Sequence, residues 1–259
     1  MEKYFKLCDD DKKNWFGRIL SRIECIKDLP ERGVKAGELG GYVEKEENIQ
    51  GKAWVYNDAM VYDNAVVKDN AEIHDHSRAN WETVISGNAK IFGESFVAQN
   101  ALVTENAVLK ESATAAGNSV IKGNAILKDH ARVIKNSEIS GNVTVDGDLV
   151  ITGEKISKKC QICRLNLGYP IVITAKTMSI NTVFAEIEDW FNLDRKNFKK
   201  FIEKEGLGDE VEEDWWFSWK DIIRQIIEKM PVNNDFELIE KNFVYAKVSP
   251  EEIKSWFSL

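Results

Sequence analysis

A six-residue repeat in the middle of the chain restricts its fold more than any other feature. Counted from Ala53, the sequence divides into seventeen consecutive hexads that end at Glu154 without an insertion. AMVYDN, ALVTEN and AVLKES are typical: the first place is small, the third is aliphatic and the sixth is often Asn. Two looser hexads extend the frame back to Gly41. Periodicity of this kind is typical of a solenoid, in which each repeat stacks on its neighbours.

The spacing within the hexad predicts short strands separated by tight corners. Because side chains alternate across a strand, the first and third places should point inward, and the second and fourth outward. The fifth and sixth places should form the corner, and pairs such as Gly87-Asn88 suit the left-handed backbone of a tight turn. The pattern also resembles the hexapeptide repeat of left-handed parallel β-helices. We therefore predict a mainly β protein with a left-handed parallel β-helix over 41–154, three hexads per coil.

The two ends of the chain lack the repeat. Residues 1–40 read as a short β-rich cap, because an open coil end exposes unpaired strand edges. Residues 155–259 read as a C-terminal α+β module, which begins with a polar connection and one or two strands in YPIVITAKTMSI. Three amphipathic helices are predicted at 183–193, 195–205 and 212–230.

A strand at 236–248 and a short helix at 249–257 are predicted to close the module. The module is rich in tryptophan, which suits either a small core or a surface that binds a partner. Its tryptophans are Trp190, Trp215, Trp216, Trp219 and Trp256.

Composition and charge limit the partners and the chemistry. The formal net charge of −8 argues against direct binding to nucleic acid or to an anionic membrane. The chain has no apolar signal core and no run of 18 apolar residues, so we expect no membrane partner and a cytoplasmic location. Cys160 and Cys163 have the spacing of a pair that shares a metal, but no His follows His130. Reduced structural cysteines are favoured, and no metal or cofactor is predicted.

Residues eighteen apart should lie on the same face of the coil, so outward rows can be predicted. One row is aliphatic and consists of Val66, Val84, Leu102 and Val120. Contiguous apolar surface usually marks a contact, so this row is predicted to be a partner-binding or oligomer face. A cover formed by the C-terminal segment of the same chain is the alternative, and it stays open.

A second row places Tyr56, His74 and Phe92 above one another, as weaker candidates for a functional site. Acyltransferases built on this repeat use a histidine base, commonly in a cleft between subunits. Here His74 reads as a rung of a stacked ladder, and His76 and His130 occupy the sixth place, where turn residues stand. No catalytic residue is predicted, although an acyltransferase with a site between subunits remains an alternative.

The C-terminal module offers further candidates for partner binding. Trp215 and Trp216 are adjacent, so both cannot face inward on one helix, and one of them is expected to contact something else. The acidic run beside them suits a basic target, while a solvated surface is the alternative. The candidates in that run are Asp209, Glu210, Glu212, Glu213 and Asp214.

The segment 34–67 resembles the start of hexapeptide-repeat proteins of bacteriophages and prophages, which share KAG-x-x-GG-[YW]-V followed by AxVxxN hexads. The strand in YPIVITAKTMSI and the Trp-bearing acidic helix after it look like the tail of some members. SINTVFAEIEDW lacks the Gly-Cys and the His that often follow there, so the role of those residues does not carry over. With no catalytic set, we expect a non-enzymatic, oligomeric phage-type protein that binds a host protein, for example a defence or nucleic-acid enzyme, and inhibits or redirects it. A structural phage component is a further alternative.

Overall fold

A computed structural model of the chain describes residues 3–157, 162–174, 176–181, 183–205 and 211–229. The chain forms two compact units. The first comprises 1–147 with 151–158, and the second comprises 148–150 with 159–259.

Strands recur every six residues through the repeat region, most of them two residues long. They follow a longer N-terminal hairpin and one five-residue strand. The strands are β1 (Phe5–Trp15), β2 (Arg18–Cys25), β3 (Leu39–Val43), β4 (Trp54–Val55), β5 (Met60–Val61), β6 (Val66–Val67), β7 (Glu72–Ile73), β8 (Arg78–Ala79), β9 (Val84–Ile85), β10 (Lys90–Ile91), β11 (Phe96–Val97), β12 (Leu102–Val103), β13 (Val108–Leu109), β14 (Thr114–Ala115), β15 (Val120–Ile121), β16 (Ile126–Leu127), β17 (Arg132–Ile134), β18 (Glu138–Ile139), β19 (Thr144–Val145), β20 (Val150–Thr152) and β21 (Lys155–Ile156).

These strands stack into three sheets, as the three-hexad coil predicts. The first sheet has the order β1-β2-β3-β5-β8-β11-β14-β17-β20, the second β4-β7-β10-β13-β16-β19 and the third β6-β9-β12-β15-β18-β21. From β3 to β19 the strands pair in parallel with an eighteen-residue register, so that Leu102 pairs with Val84 and Val120. The predicted fold class is confirmed: the protein is mainly β, a β-solenoid followed by a helix-containing module.

The side chains take the inside and outside places that the hexad predicts. First-place and third-place residues such as Ala101, Val103 and Ile121 are buried inside the coil. The fifth residue of every hexad from Asn57 to Gly153 has a positive φ. These residues therefore form the left-handed corners at which the chain changes from one sheet to the next.

The sixth place has a role that the sequence analysis missed. Its asparagines bond to one another along the coil axis, each side-chain Nδ2 donating to the Oδ1 of the residue eighteen positions later, at 2.8–3.1 Å. Stacking of the coils thus pairs amide groups that would otherwise face water alone. The longest such row consists of Asn70, Asn88, Asn106, Asn124 and Asn142.

The N-terminal residues continue the first sheet. The antiparallel hairpin β1–β2 pairs with β3, and two 3-10 helices follow at Pro30–Arg32 and Glu46–Asn48. Arg22 of β2 anchors the hairpin, because its guanidinium donates to Asp11 at 2.7 Å, to Asp58 at 3.1 Å and to the Tyr42 hydroxyl at 2.8 Å. The predicted domain boundaries at 40/41 and 154/155 stay predictions.

In its described residues, the second unit contains an antiparallel sheet and three helices. Its core includes Met178, Trp190 and Trp216, all fully buried, and the Trp190 indole N–H donates to the Met178 carbonyl at 2.9 Å. The elements are β22 (Cys163–Asn166), β23 (Pro170–Ile173), β24 (Thr177–Ile180), β25 (Val183–Glu186), α1 (Ile187–Phe191), α2 (Arg195–Glu205) and α3 (Glu213–Lys229).

One local expectation was wrong. Residues 183–186 form β25 rather than the start of a helix, because they pair with β24, with Phe184 opposite Ser179. The last strand of the third sheet, β21, pairs with β18 with Lys155 opposite Glu138, one residue short of the eighteen-residue register. The strand predicted at 236–248 and the helix predicted at 249–257 lie outside the described residues.

Candidate functional site

The predicted aliphatic row lies on the outer side of the third sheet. Val66, Val84, Leu102 and Val120 take the second place of four successive coils and pair in register. Each side chain is half-buried, so each presents part of its apolar surface to solvent. With neighbouring strands about 4.8 Å apart, the row is about 14 Å long. We call these four residues the aliphatic row.

Polar groups border the aliphatic row. On the same sheet the Ser86 hydroxyl donates to the Thr104 hydroxyl at 2.9 Å. In the next coil Glu138 replaces the aliphatic residue, and its carboxylate pairs with Lys122 at 2.7 Å and with Lys155 at 3.9 Å. An apolar strip with a polar edge is the arrangement found in protein interfaces, which have an apolar centre and a hydrated rim.

The second sheet carries the predicted row of rings. The centroids of Tyr56 and His74 are 4.1 Å apart and those of His74 and Phe92 are 4.6 Å apart, with the rings stacked in both pairs. We call these three residues the aromatic stack. Both faces of the imidazole are therefore covered by neighbouring rings, in agreement with the stacked-ladder interpretation of His74.

Glu72 joins the aromatic stack to the N-terminal segment. Its carboxylate bonds to His74 Nε2 at 3.0 Å, to Arg32 Nη1 at 2.7 Å and to Lys90 Nζ at 3.4 Å. The hydrogen bond with His74 and the charges of Lys90 and Arg32 outweigh burial and lower the pKa of Glu72 to about 2. Burial raises the pKa of Tyr56 to about 12. The cluster therefore holds an ionised carboxylate beside a neutral phenol at neutral pH.

This arrangement is poorly suited to base catalysis. A carboxylate paired with Arg32 and Lys90 and with so low a pKa is a weak proton acceptor, and His74 Nε2 is already occupied by it. The geometry instead fixes the segment around Arg32 against the second sheet, because the Tyr56 hydroxyl also donates to the Arg32 carbonyl at 3.2 Å. The cluster acts as a structural clamp.

The sequence analysis missed Glu72 and Arg32. Glu72 and Lys90 stand eighteen residues apart in outward places, and that spacing was the signal available for their ion pair. Arg32 had no such signal, because the residues before Gly41 lie outside the repeat frame.

The two candidate tryptophans of α3 have different environments. Trp216 is fully buried, with its ring 5.1 Å from that of Trp190. Trp215 is half-buried, its indole N–H donates to the Leu167 carbonyl at 2.7 Å, and its ring meets the Tyr169 ring edge-on. Trp216 therefore belongs to the core of the second unit, and a partner contact by this pair would fall to the exposed part of Trp215.

The acidic run is only partly described. Asp209 and Glu210 lie outside the described residues, and Glu212 is exposed. Glu213 and Asp214 both pair with the guanidinium of Arg195, at 2.9 and 2.8 Å. Part of the negative charge of the run is thus compensated within the unit, and its role in partner binding stays a prediction.

The cysteines and the helices give no further site. Cys8 and Cys25 are buried free thiols, and burial raises the pKa of both. Cys160 and the side chain of Cys163 lie outside the described part of the chain. Within the described ranges, no group of three or more His, Cys, Asp or Glu side chains is placed to hold a metal ion. None of the helices in those ranges combines the length and apolar character needed to cross a bilayer.

Comparison with known proteins gives no assignment: no protein-family model matches the chain, and no curated protein matches its sequence.

Proposed function

We propose that this protein is a non-enzymatic interaction protein, a rigid β-solenoid that binds a partner protein through the aliphatic row. The observation that carries the proposal is the row itself, four aliphatic side chains in register on the outer side of one sheet and half-exposed. Apolar surface that faces water is stabilised when a partner covers it.

The solenoid backbone suits such a role. Each coil bonds to the next through the parallel ladder, and the first and third side chains of each hexad are buried. A surface held rigid before binding loses little conformational entropy when a partner docks, so more of the gain from burying the row contributes to affinity. A flat apolar strip on the partner, with polar groups facing the Ser86–Thr104 edge and the Lys122–Glu138 pair, would complement it.

The nature of the partner follows from the resemblance and the charge. The similarity of 34–67 to phage and prophage proteins makes a bacterial host protein the expected partner, encountered in the host cytoplasm. The net charge of −8 favours a basic partner, such as a nucleic-acid or defence enzyme, which the bound solenoid would inhibit or redirect. Acyl transfer is not the function that we favour, because His74 is held within the aromatic stack and bonded to Glu72.

A double charge substitution tests this proposal. Val84→Glu/Leu102→Glu places two carboxylates in the aliphatic row, and Val108→Glu/Ile126→Glu makes the same change at half-buried second-place positions of the second sheet. A partner captured from bacterial lysate by the wild type is purified, and its affinity for each protein is measured by calorimetry. We expect the row variant to lose at least about tenfold in affinity, since each buried unpaired polar group costs about 1–3 kcal/mol.

The control variant should retain the wild-type affinity. Light scattering after size exclusion distinguishes a different protein from a second copy of this chain as the partner. If the row variant has a lower molar mass than the wild type but binds the captured protein with the same affinity, the aliphatic row contacts a second copy of this chain. If the partner binds both variants and the wild type with equal affinity, the aliphatic row is not the binding surface.

A further inference from the structure

An open groove of about 630 Å³ runs along one corner of the solenoid, apart from the aliphatic row and the aromatic stack. It crosses four successive coils at the turns that follow β5, β8, β11 and β14, so its repeat along the axis is the strand spacing of about 4.8 Å. Arg18, the first residue of β2, also lines it. The corner residues that line it are Asp63, Asn64, Trp81, Glu82, Gln99, Asn100, Gly117 and Asn118.

Trp81 is the outlier in this groove. It takes the fifth place of its hexad with φ +59°, and its side chain is 57% exposed. The fifth places of the other hexads hold glycine or polar residues, for which a left-handed corner or solvent exposure is less costly. A bulky aromatic residue that is both strained and exposed lowers stability without a gain in packing. Such an outlier points to a functional contact rather than to folding.

The polar groups beside Trp81 have free hydrogen-bonding capacity. Asn100 Nδ2 donates to Asn118 Oδ1 at 3.0 Å, while Asn100 Oδ1 accepts no hydrogen bond from the described residues. The Gln99 amide makes no side-chain hydrogen bond within the described ranges either. The groove therefore combines an exposed indole with amide groups that can donate to and accept from a ligand.

The charged side chains that line the groove are one guanidinium and two carboxylates, so the groove carries a small net negative charge. The Arg18 guanidinium donates to Asp63 Oδ1 at 2.6 Å and lies over the Tyr62 ring, so its charge is already paired. Glu82 adds a carboxylate at the next corner. A phosphate or another anion would meet repulsion here, and so would a nucleotide, although its base could stack on Trp81.

We propose that this groove binds a neutral oligosaccharide, with one sugar ring stacked on Trp81. The C–H face of a pyranose is apolar and flat enough to cover an indole, while its hydroxyl groups donate and accept at the ring edge. Gln99 and Asn100 supply the matching amide groups, and the coil spacing is comparable to the length of one pyranose unit in an extended chain. The proposed site is distinct from the protein-binding surface, and neither proposal depends on the other.

The test uses the full-length protein and a panel of neutral trisaccharides built from glucose, galactose, mannose or N-acetylglucosamine. Binding is followed by tryptophan fluorescence and confirmed by calorimetry, with an oligothymidylate as the nucleotide probe. We expect at least one trisaccharide to bind with a Kd below about 10 mM and the oligothymidylate not to bind.

Trp81→Asn is the informative variant, because Asn57 shows that asparagine occupies such a corner. We expect its melting temperature to equal or exceed that of the wild type, and its saccharide affinity to fall at least tenfold, equivalent to about 1.4 kcal/mol. Gln99→Ala should weaken binding as well. Lys135→Asn, at the next corner of the same column and outside the groove lining, is the matched control and should bind as the wild type does.

Three results would overturn the proposal: no trisaccharide of the panel binds, Trp81→Asn binds as tightly as the wild type, or the oligothymidylate binds in place of the sugars. Val84→Glu/Leu102→Glu should leave saccharide binding unchanged, which separates failure of this proposal from failure of the protein-binding surface.

Discussion

Replacement of Glu72 by glutamine tests the clamp on the second sheet. Glu72→Gln keeps the size of the side chain but removes the charge that Arg32, His74 and Lys90 surround. Arg32 is left without its carboxylate partner in a site where its side chain is 11% exposed. We therefore expect the variant to be less stable at neutral pH.

The magnitude follows from the pKa of Glu72. The pKa falls from 4.5 to about 2 in the folded protein, and one pKa unit corresponds to about 1.4 kcal/mol, so the charge contributes at most about 3 kcal/mol. Because the pKa is lowered by folding, this stabilisation is present above pH 4.5 and is lost as the pH falls toward 2. Removal of one partner from a buried ion pair costs a similar amount, about 3–5 kcal/mol.

The assay is urea unfolding of both proteins at pH 7 and pH 3, with hydrogen exchange of peptides from β4 and β7 to report on the solenoid rather than on the second unit. We expect a difference of about 3 kcal/mol at pH 7 that shrinks by about 2 kcal/mol at pH 3. Glu94→Gln, at an exposed position, is the control and should show no difference. A Glu72→Gln difference that is the same at both pH values would refute the linkage, and no difference at pH 7 would refute the clamp.

Two comparisons test the corners and the asparagine row by thermal unfolding. Gly123→Ala should destabilise the protein more than Gly147→Ala does. Both glycines have φ near +70°, which costs about 1–2 kcal/mol for an L-residue. Only at Gly123 would the new Cβ also meet backbone, at 2.6 Å from Gly141 N. Equal melting temperatures of the two variants would show that neighbouring coils can move apart at this corner and relieve the contact. Asn88→Ala removes two hydrogen bonds, to Asn70 and Asn106, whereas Asn142→Ala removes only the bond from Asn124. At about 1 kcal/mol per bond, Asn88→Ala should therefore lower the free energy of unfolding by twice as much. An effect at Asn142 as large as that at Asn88, or larger, would contradict this account of the asparagine row.

The repeat allowed most of the solenoid to be predicted from the sequence. An uninterrupted eighteen-residue coil places each outward residue above the one before it, so the order of the aliphatic row and the stacking of Tyr56, His74 and Phe92 follow from counting. The left-handed corners follow in the same way, since the fifth place repeats with the coil.

Contacts outside the repeat could not be found by counting. The bond from Arg32 to Glu72 joins a non-repeating segment to a coil, and no local pattern records it. Residues 183–186 have enough apolar residues for either a helix or a strand, and pairing with β24 decides in favour of the strand. Trp81 was not predicted as a site either, because the repeat frame gives the corner position of this residue but not the exposure of its side chain.

The most direct test of the proposed function is hydroxyl-radical footprinting of the protein with and without its captured partner. Oxidation of Val84 and Leu102 is compared with that of Val108 and Ile126, which occupy equivalent places on the second sheet. The proposal predicts protection of Val84 and Leu102 in the complex, with no change at Val108 and Ile126. Unprotected Val84 and Leu102 in a stoichiometric complex would show that the partner binds elsewhere and would contradict the assignment of the aliphatic row.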